Sequence, residues 1–258
     1  MTNARKGRVV FIGAGPGAAD LITLRGAARL ATADVVLFDA LTDPALRDFA
    51  PQAKWIDVGK RGFCDSTGQK TINALLVRHA SEAGVVVRLK GGDPSVFGRL
   101  EEELEALSKA GIGCEIVPGV TAALAAAAVA QRPLTRRGQG RSVSLATAMT
   151  RECRLQATRS ADTEVFYMAG RQLAALSRRL LAAGWSADAP ALVVSSAGWP
   201  DQLHSDHTVG TLGRAAMLHA GRPSIVTVGA GAAAFVDLLP ADPPARAGTT
   251  AVVAVMTP

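Results

Sequence analysis

Short apolar runs alternate along the first half of the chain with segments in which apolar residues recur every three or four positions. The apolar runs, which predict strands, lie at residues 9–13, 34–39, 53–59, 85–91 and 114–119. The helical spacing occurs at residues 24–31, 71–83 and 97–111. Nearly continuous apolar strands that alternate with helices predict an α/β fold, with a mostly parallel sheet that is covered on both faces.

A break rich in proline, glycine and charged residues at 131–141 separates this half from the next. Beyond it, the same patterns predict strands at 142–149, 163–170, 190–198 and 224–231, and a helix at 171–184. We therefore expect two α/β domains. Their predicted bounds are 1–131 for the N-terminal domain, 132–141 for a linker, 142–240 for the C-terminal domain and 241–258 for a tail. The apolar run in the tail fits either an added edge strand or a loose end.

The composition is that of a globular protein, with 48% hydrophobic and 19% charged residues among 258. Three cysteines, Cys64, Cys114 and Cys153, give an odd count without C-x-x-C spacing. This pattern argues against a disulfide framework or a zinc cluster and favours a reducing compartment. The four histidines form no i, i+4 pair, so no metal site is predicted.

The N-terminal stretch has a basic head but only a short apolar run, so we expect no signal peptide. The longest apolar tract, residues 120–131, is too short and too rich in alanine to cross a bilayer. Both features predict a cytoplasmic protein with no membrane partner.

The net charge of +6 is compatible with solubility alone or with an anionic partner. Basic residues cluster at 136–141 and continue as Arg151, Arg154 and Arg159, without aromatic residues between them. Because base stacking needs such aromatics, a nucleic-acid partner is not predicted. A ligand that carries carboxylates or phosphates fits the cluster better.

The segment VVFIGAGPG at 9–17 contains Gly13 and Gly15 in a turn between a predicted strand and a helix. With Ala18, they match the G-x-G-x-x-G/A pattern of dinucleotide sites, and Asp39 stands where a ribose-binding acid would follow. However, Pro16 lies inside the turn and has no N–H to offer a pyrophosphate. Taken alone, the turn is compatible with a nicotinamide-dependent oxidoreductase or with a different ligand.

A second glycine turn, Gly91-Gly92-Asp93, follows the fourth predicted strand, and a third, Pro118-Gly119, precedes a helix start at Thr121. Each is also explained by an ordinary turn or helix cap. In open α/β sheets, ligands bind outside the carboxyl ends of the strands. Three glycine turns at such ends therefore suggest one elongated ligand that lies across the sheet edge.

In order and spacing, these motifs resemble those of the tetrapyrrole methylases, from about Arg8 to Gly229. The matching segments are 9–17, 34–41, 58–73, 87–99, 117–128, 133–138, 165–170 and 223–229. The resemblance implies the class III S-adenosylmethionine-dependent methyltransferase fold, with two α/β domains, the cofactor in the cleft between them, and a homodimer. Its motifs are most like those of members that methylate uroporphyrinogen III at two pyrrole carbons, through precorrin-1 to precorrin-2, for sirohaem or cobalamin.

The resemblance also implies which residues form the site. S-adenosyl-L-methionine, and S-adenosyl-L-homocysteine as product, would contact Pro16, Gly91, Gly92, Asp93, Val96, Thr121, Ala122, Met168 and Ala197. Asp39 would act as the base that takes up a proton, and Lys60 as the proton donor. The carboxylates of an anionic tetrapyrrole would be bound by Arg61, Arg136, Arg137 and Arg141. For each of these polar residues a solvated surface position is the competing interpretation.

The chain departs from the family pattern at several positions, where the family more often has glycines or histidines. These positions are Cys64, Asp65, Leu100, Glu101, Arg136, Met149 and Ala197. The departures bear on substrate orientation and products more than on the cofactor. Three alternatives therefore stay open: a methyltransferase for a later precorrin, a binding protein for anionic tetrapyrroles, and the NAD-dependent oxidoreductase, which leaves the Gly91-Gly92-Asp93 turn unexplained.

Overall fold

A computed structural model describes residues 7–59, 68–82, 84–149 and 155–234. Its strands and helices occur in two consecutive groups. The first comprises β1 (Arg8–Gly13), α1 (Leu24–Leu30), β2 (Val35–Phe38), β3 (Lys54–Asp57), α2 (Gln69–Glu82), β4 (Val85–Lys90), α3 (Leu100–Lys109) and β5 (Cys114–Val117). The second comprises α4 (Ala122–Val129), β6 (Val143–Thr147), β7 (Thr163–Tyr167), α5 (Leu173–Ala182), β8 (Pro190–Ser195), β9 (Leu203–Thr208) and β10 (Ser224–Gly229).

The first sheet is all-parallel, with strand order β3-β2-β4-β1-β5. Alternate residues of β1, which lies between β4 and β5, enter two different cores. Val9 and Phe11 pack with buried residues of α2 and α3, whereas Val10 and Ile12 pack with residues that include Leu30 of α1. Burial on both faces explains why β1 is continuously apolar in sequence. The predicted α/β architecture is confirmed.

The second sheet is mixed, with strand order β6-β7-β10-β8-β9. Only β6 and β7 pair in parallel, whereas β10 pairs antiparallel with both β7 and β8, and β8 antiparallel with β9. The sequence patterns did not predict β9, because five of the six residues in LHSDHT are polar or histidine and the strand lies at the sheet edge. A 3-10 helix over Val209–Ala216 follows it.

Helix α4 connects the two sheets. It follows β5 along the chain, yet Ala123 and Ala126 share one apolar cluster with Val165 of β7 and Val194 of β8. Small side chains let this helix lie close to the second sheet, which explains its alanine-rich sequence. The predicted domain division at residue 131 stays a prediction.

Two sequence expectations, for the tail at 241–258 and for Cys64 and Cys153, lie outside the described residues. Within them, no helix is long and apolar enough to cross a membrane. The described part of the chain also contains no group of three or more side chains suited to hold a metal ion.

Candidate functional site

Three loops lie side by side at the carboxyl ends of β4, β1 and β5, which are neighbours in the first sheet. We call them the β1 loop (residues 14–18), the β4 loop (91–99) and the β5 loop (118–121). The amide of Gly92 donates to the carbonyl of Gly15 at 2.7 Å, and the amide of Gly15 donates to the carbonyl of Gly92 at 3.3 Å. This reciprocal pair continues the sheet beyond its last regular residue.

The glycines of these loops contact one another backbone to backbone. A Cβ placed on Gly13 would lie 2.5 Å from the Cα of Gly119 and 2.7 Å from the carbonyl oxygen of Gly92. Gly92 also has a φ of +69°, which glycine adopts at little cost. Close packing therefore explains Gly13, without a pyrophosphate that would need the same residue.

Asp93 fastens the β4 loop to the β5 loop. Its Oδ2 accepts a hydrogen bond from the Gly119 amide at 2.9 Å, and its Oδ1 accepts one from the Ser95 amide at 2.7 Å. Val96 continues the turn, with its amide donating to the Asp93 carbonyl at 3.2 Å. Carboxylate oxygens have lone pairs for further bonds, so the predicted contact of Asp93 with a cofactor is compatible with this structural role.

Residues at the carboxyl end of β7 contact these loops from the second sheet. The hydroxyl of Tyr167 is 2.7 Å from Thr121 Oγ1 and accepts from the Ala123 amide at 3.3 Å. Its ring packs on Phe97 of the β4 loop, with centroids 4.9 Å apart. The next residue, Met168, has a φ of +60° and is 56% exposed. Tyr167 thus connects α4 and the β4 loop to the second sheet, beside an exposed thioether.

The loop after β8, residues 196–202, meets the β1 loop. The Ala18 amide donates to the carbonyl of Gly198 at 2.9 Å. A Cβ on Gly17 would lie 2.6 Å from the indole Cδ1 of Trp199 and 2.9 Å from the carbonyl oxygen of Ala197. The structure therefore brings together the segments that carry the nine cofactor residues predicted from sequence, from Pro16 to Ala197.

The predicted base, Asp39, follows β2 at the same sheet edge. Its Oδ1 accepts from Arg88 Nη2 at 2.7 Å, and 31% of its side chain is exposed. Arg88 Nε also donates to Glu103 Oε1 at 2.9 Å, while Lys90 Nζ donates to Glu103 Oε2 at 2.8 Å. We call Asp39, Arg88, Lys90 and Glu103 the charge network. Two cations and two carboxylates balance in it.

Electrostatics differ between the two cations of the charge network. Burial lowers the pKa of Arg88, but the charges of Asp39 and Glu103 outweigh burial and leave that pKa above its ordinary value. For Lys90, burial dominates and the charge of Arg88 adds to it, so the pKa of Lys90 is lowered although Glu103 partly offsets both.

Sequence reasoning missed Arg88, Lys90, Glu103 and Tyr167 as parts of the site. A signal for the first two was present, because they stand two residues apart in the apolar run VVVRLK and so face the same side of a strand. Glu103 gave no such signal, because it is one of three consecutive glutamates in the first turn of α3, yet its side chain is completely buried.

The predicted substrate-binding arginines lie elsewhere or are not described. Lys60 and Arg61 fall outside the described residues. Arg136 donates to the carbonyl of Ala233, and the Arg141 amide donates to Asp162 Oδ2 at 3.0 Å. With Arg137 they line an open cavity of about 600 Å³, at the amino ends of β6 and β7. Tyr167 and Met168 lie at the opposite end of β7, so the structure does not bring these arginines together with the three loops.

Residues 8–216 match the family model of the Tetrapyrrole (Corrin/Porphyrin) Methylases. A uroporphyrinogen-III C-methyltransferase of Pseudomonas aeruginosa is 42% identical over 228 residues, which are 86% of this chain and 93% of that protein. A siroheme synthase of Neisseria meningitidis is also 42% identical, over 88% of this chain. The chain spans about half the length of that relative, 48%.

Solved structures of methyltransferases that act on tetrapyrroles are also similar to this chain. Uroporphyrin-III C-methyltransferase from Thermus thermophilus, complexed with S-adenosyl homocysteine, superposes with a TM-score of 0.76 at 33% identity, over 86% of this chain and 97% of that one. A cobalt precorrin-4 methyltransferase of cobalamin biosynthesis also has a TM-score of 0.76, at 30% identity over 86% of this chain and 94% of that one.

Proposed function

Because the chain belongs to the tetrapyrrole methylase family, we propose that it is an S-adenosylmethionine-dependent methyltransferase that converts uroporphyrinogen III to precorrin-2 through precorrin-1. The observation that carries this proposal is the 42% identity to a uroporphyrinogen-III C-methyltransferase over 93% of that protein's length. The three-loop site, formed from the segments that this similarity identifies, supports it.

The geometry of the loops fits the cofactor. A Cβ added at Gly91 would meet no atom nearer than 3.5 Å, and one at Gly92 none nearer than 3.8 Å. The main chain of this turn is therefore open to a ligand, in contrast to the crowded Gly13 and Gly119. Exposed Met168 offers a polarizable thioether beside an adenine or a sulfonium. The amide-rich turns suit the amino-acid end of the cofactor and its ribose.

When bound, S-adenosylmethionine supplies an electrophilic methyl group for attack by an electron-rich pyrrole carbon. The protein's contribution is mainly positioning, because the methyl group is already activated. The methylated tetrapyrrole then loses a proton, and we assign Asp39 as its acceptor. Arg88 holds one oxygen of Asp39 at 2.7 Å, which fixes the direction of the carboxylate. Lys60 is our candidate for the proton donor.

The proposed substrate is an anionic tetrapyrrole with eight carboxylates, to which the net charge of +6 is complementary. We assign Arg61, Arg136, Arg137 and Arg141 to these carboxylates because arginine forms bidentate contacts with them. Within one chain, Arg136, Arg137 and Arg141 lie at the opposite end of β7 from the three loops. This assignment therefore requires that a second subunit, or a closure of this chain, bring them to the site. We propose a homodimer that acts in the cytoplasm, without nucleic acid or membrane.

Methylation of a later precorrin is the second candidate. It is supported by the similarity to the cobalt precorrin-4 methyltransferase, at the same TM-score but lower identity. An NAD-dependent oxidoreductase has less support, since loop packing accounts for Gly13 and the family match covers residues 8–216.

Anaerobic incubation with S-adenosylmethionine and uroporphyrinogen III, followed by product mass and absorption, tests the proposal. We expect two added methyl groups. One added group would restrict the activity to precorrin-1 formation. Cofactor binding without methyl transfer would contradict the substrate and direct the assay to later precorrins. Binding of NAD(H) in place of S-adenosylmethionine would contradict the proposed function altogether.

A further inference from the structure

We propose that Glu103 is a positioning residue for methyl transfer. Its single buried carboxylate fixes two parts of the site: Asp39, through Arg88, and the start of the β4 loop, through Lys90. The inference rests on the proposed function, because methyl transfer is the reaction that gives Asp39 a proton to accept.

The burial of Glu103 is the first observation. Its side chain is 0% exposed, although it lies in the first turn of α3 among three consecutive glutamates. An ionised carboxylate in such a place is costly unless it is paired. Both oxygens of Glu103 are paired, each with a cation that is itself only 3% exposed. Glu101 and Glu102, by contrast, lie at the surface.

Arg88 transmits the orientation of Glu103 to Asp39. Its Nε donates to Glu103, its Nη2 donates to Asp39, and its Nη1 donates to the carbonyl of Leu89 at 3.1 Å. The guanidinium is planar and presents its donors in a rigid fork. Glu103 and the backbone hold one edge of the guanidinium, so the direction of the remaining donor, Nη2, is fixed. This donor orients the half-buried carboxylate of Asp39.

Lys90 carries the second connection. It is the last residue of β4, directly before Gly91, and its carbonyl accepts from the Ala14 amide of the β1 loop at 2.8 Å. A Cβ on Gly98 would lie 2.9 Å from Lys90 Cε, so the lysine stem also packs against the end of the β4 loop. Its bond to Glu103 thereby ties both ends of that loop to α3.

Loss of the Glu103 charge has a defined consequence. In Glu103→Gln, the two buried cations share Asp39 as their one remaining carboxylate within the network. Lys90, whose pKa burial already lowers, is the cation that more readily gives up its proton. Arg88 keeps its charge and the pair with Asp39 but loses its second ionic support. We therefore expect Glu103→Gln to lower kcat by a larger factor than it weakens cofactor binding.

The test compares Glu103→Gln with Glu105→Gln, which removes a carboxylate from the exposed face of the same helix. Three quantities are measured for each variant: kcat for methyl transfer, Kd for S-adenosylhomocysteine, and the midpoint of thermal unfolding. We expect kcat to fall about 10- to 100-fold in Glu103→Gln, the range that a misplacement near 1 Å produces. Its Kd should change less than about threefold, and Glu105→Gln should behave as the wild type.

A double-mutant cycle with Asp39→Asn shows whether Glu103 acts through Asp39. If it does, Glu103→Gln slows the Asp39→Asn variant less than about twofold. A wild-type kcat in Glu103→Gln would overturn the inference. So would a Glu103→Gln substitution that lowers kcat by the same factor in the Asp39→Asn variant as in the wild type. If Glu103→Gln does not fold, Glu103→Gln with Lys90→Met removes the unpaired cation, and the same criteria apply.

The two proposals fail in different ways. Absence of methyl transfer in the wild-type protein contradicts the proposed function, and the inference with it. Normal wild-type turnover together with an unaffected Glu103→Gln contradicts the inference alone. A parallel loss of cofactor binding, stability and kcat would make Glu103 a structural residue and overturn its positioning role.

Discussion

Substitution of Gly119 by alanine tests whether loop packing forms the site. The added Cβ would lie 2.7 Å from the Cα of Gly13 and nearer still to the carbonyl oxygen of Gly92. Two carbon atoms attract best at about 3.5–4.0 Å, so the loops must separate by about 1 Å. Both neighbours are backbone atoms, which no rotamer change can move. We expect a loss of about 3 kcal/mol in the free energy of unfolding, at the upper end for overpacking.

The assay pairs Gly119→Ala with Gly113→Ala. A Cβ on Gly113 would meet no atom within 4 Å, and both changes restrict the unfolded chain equally. Urea unfolding should therefore show Gly113→Ala at or above the wild type and Gly119→Ala well below it. Calorimetry should show that Gly119→Ala weakens S-adenosylhomocysteine binding at least about tenfold. Equal unfolding energies and equal affinities in the two variants would refute the packing argument.

Three further predictions concern single side chains. Tyr167→Phe removes the hydroxyl that contacts Thr121 and Ala123, and should cost about 1–3 kcal/mol in urea unfolding with weaker binding of S-adenosylhomocysteine in calorimetry. Asp39→Asn should lower kcat about 10²- to 10⁴-fold in the methyl-transfer assay while the Kd for S-adenosylhomocysteine stays near the wild-type value. Burial lowers the pKa of His219 from 6.5 to about 4, so between these values the unfolded chain binds more protons. The free energy of unfolding should then fall as the pH drops through that window, and His219→Gln should flatten the slope in urea titrations.

The sequence predicted regular elements well where burial imposes a simple period. All five strands of the first sheet were expected from their apolar runs. In β1 such a run arises because Val9, Phe11 and their neighbours are buried on both faces. Helices α2, α3 and α5 were expected from one-sided stripes such as Leu173, Leu176 and Leu180, all now buried. Strand β9 was not, since an edge strand with exposed polar positions carries no such period.

The site was predicted in part, for a different physical reason. A family resemblance identified the residues that line the three loops, but local sequence has no information on charges that meet across the fold. Arg88 and Glu103 are 15 positions apart and Arg88 and Asp39 are 49 apart. Their ion pairs depend on the order β2-β4 in the sheet and on α3 covering one face, which periodicity alone does not give.

The dinucleotide-like motif shows how one glycine pattern arises from two physical demands. In a dinucleotide site the first glycine serves a tight turn and the second a close approach to pyrophosphate. Here Gly13 must lack a Cβ because Gly119 and Gly92 lie against it, while Gly15 turns the chain with a φ of +81°. Both neighbours belong to other loops of the site, so the same residue type is required without any phosphate. The two cases therefore differ in what lies against each glycine, a phosphate in one and another loop in the other. In the sequence, the second glycine turn at Gly91 was the feature that argued against a dinucleotide site.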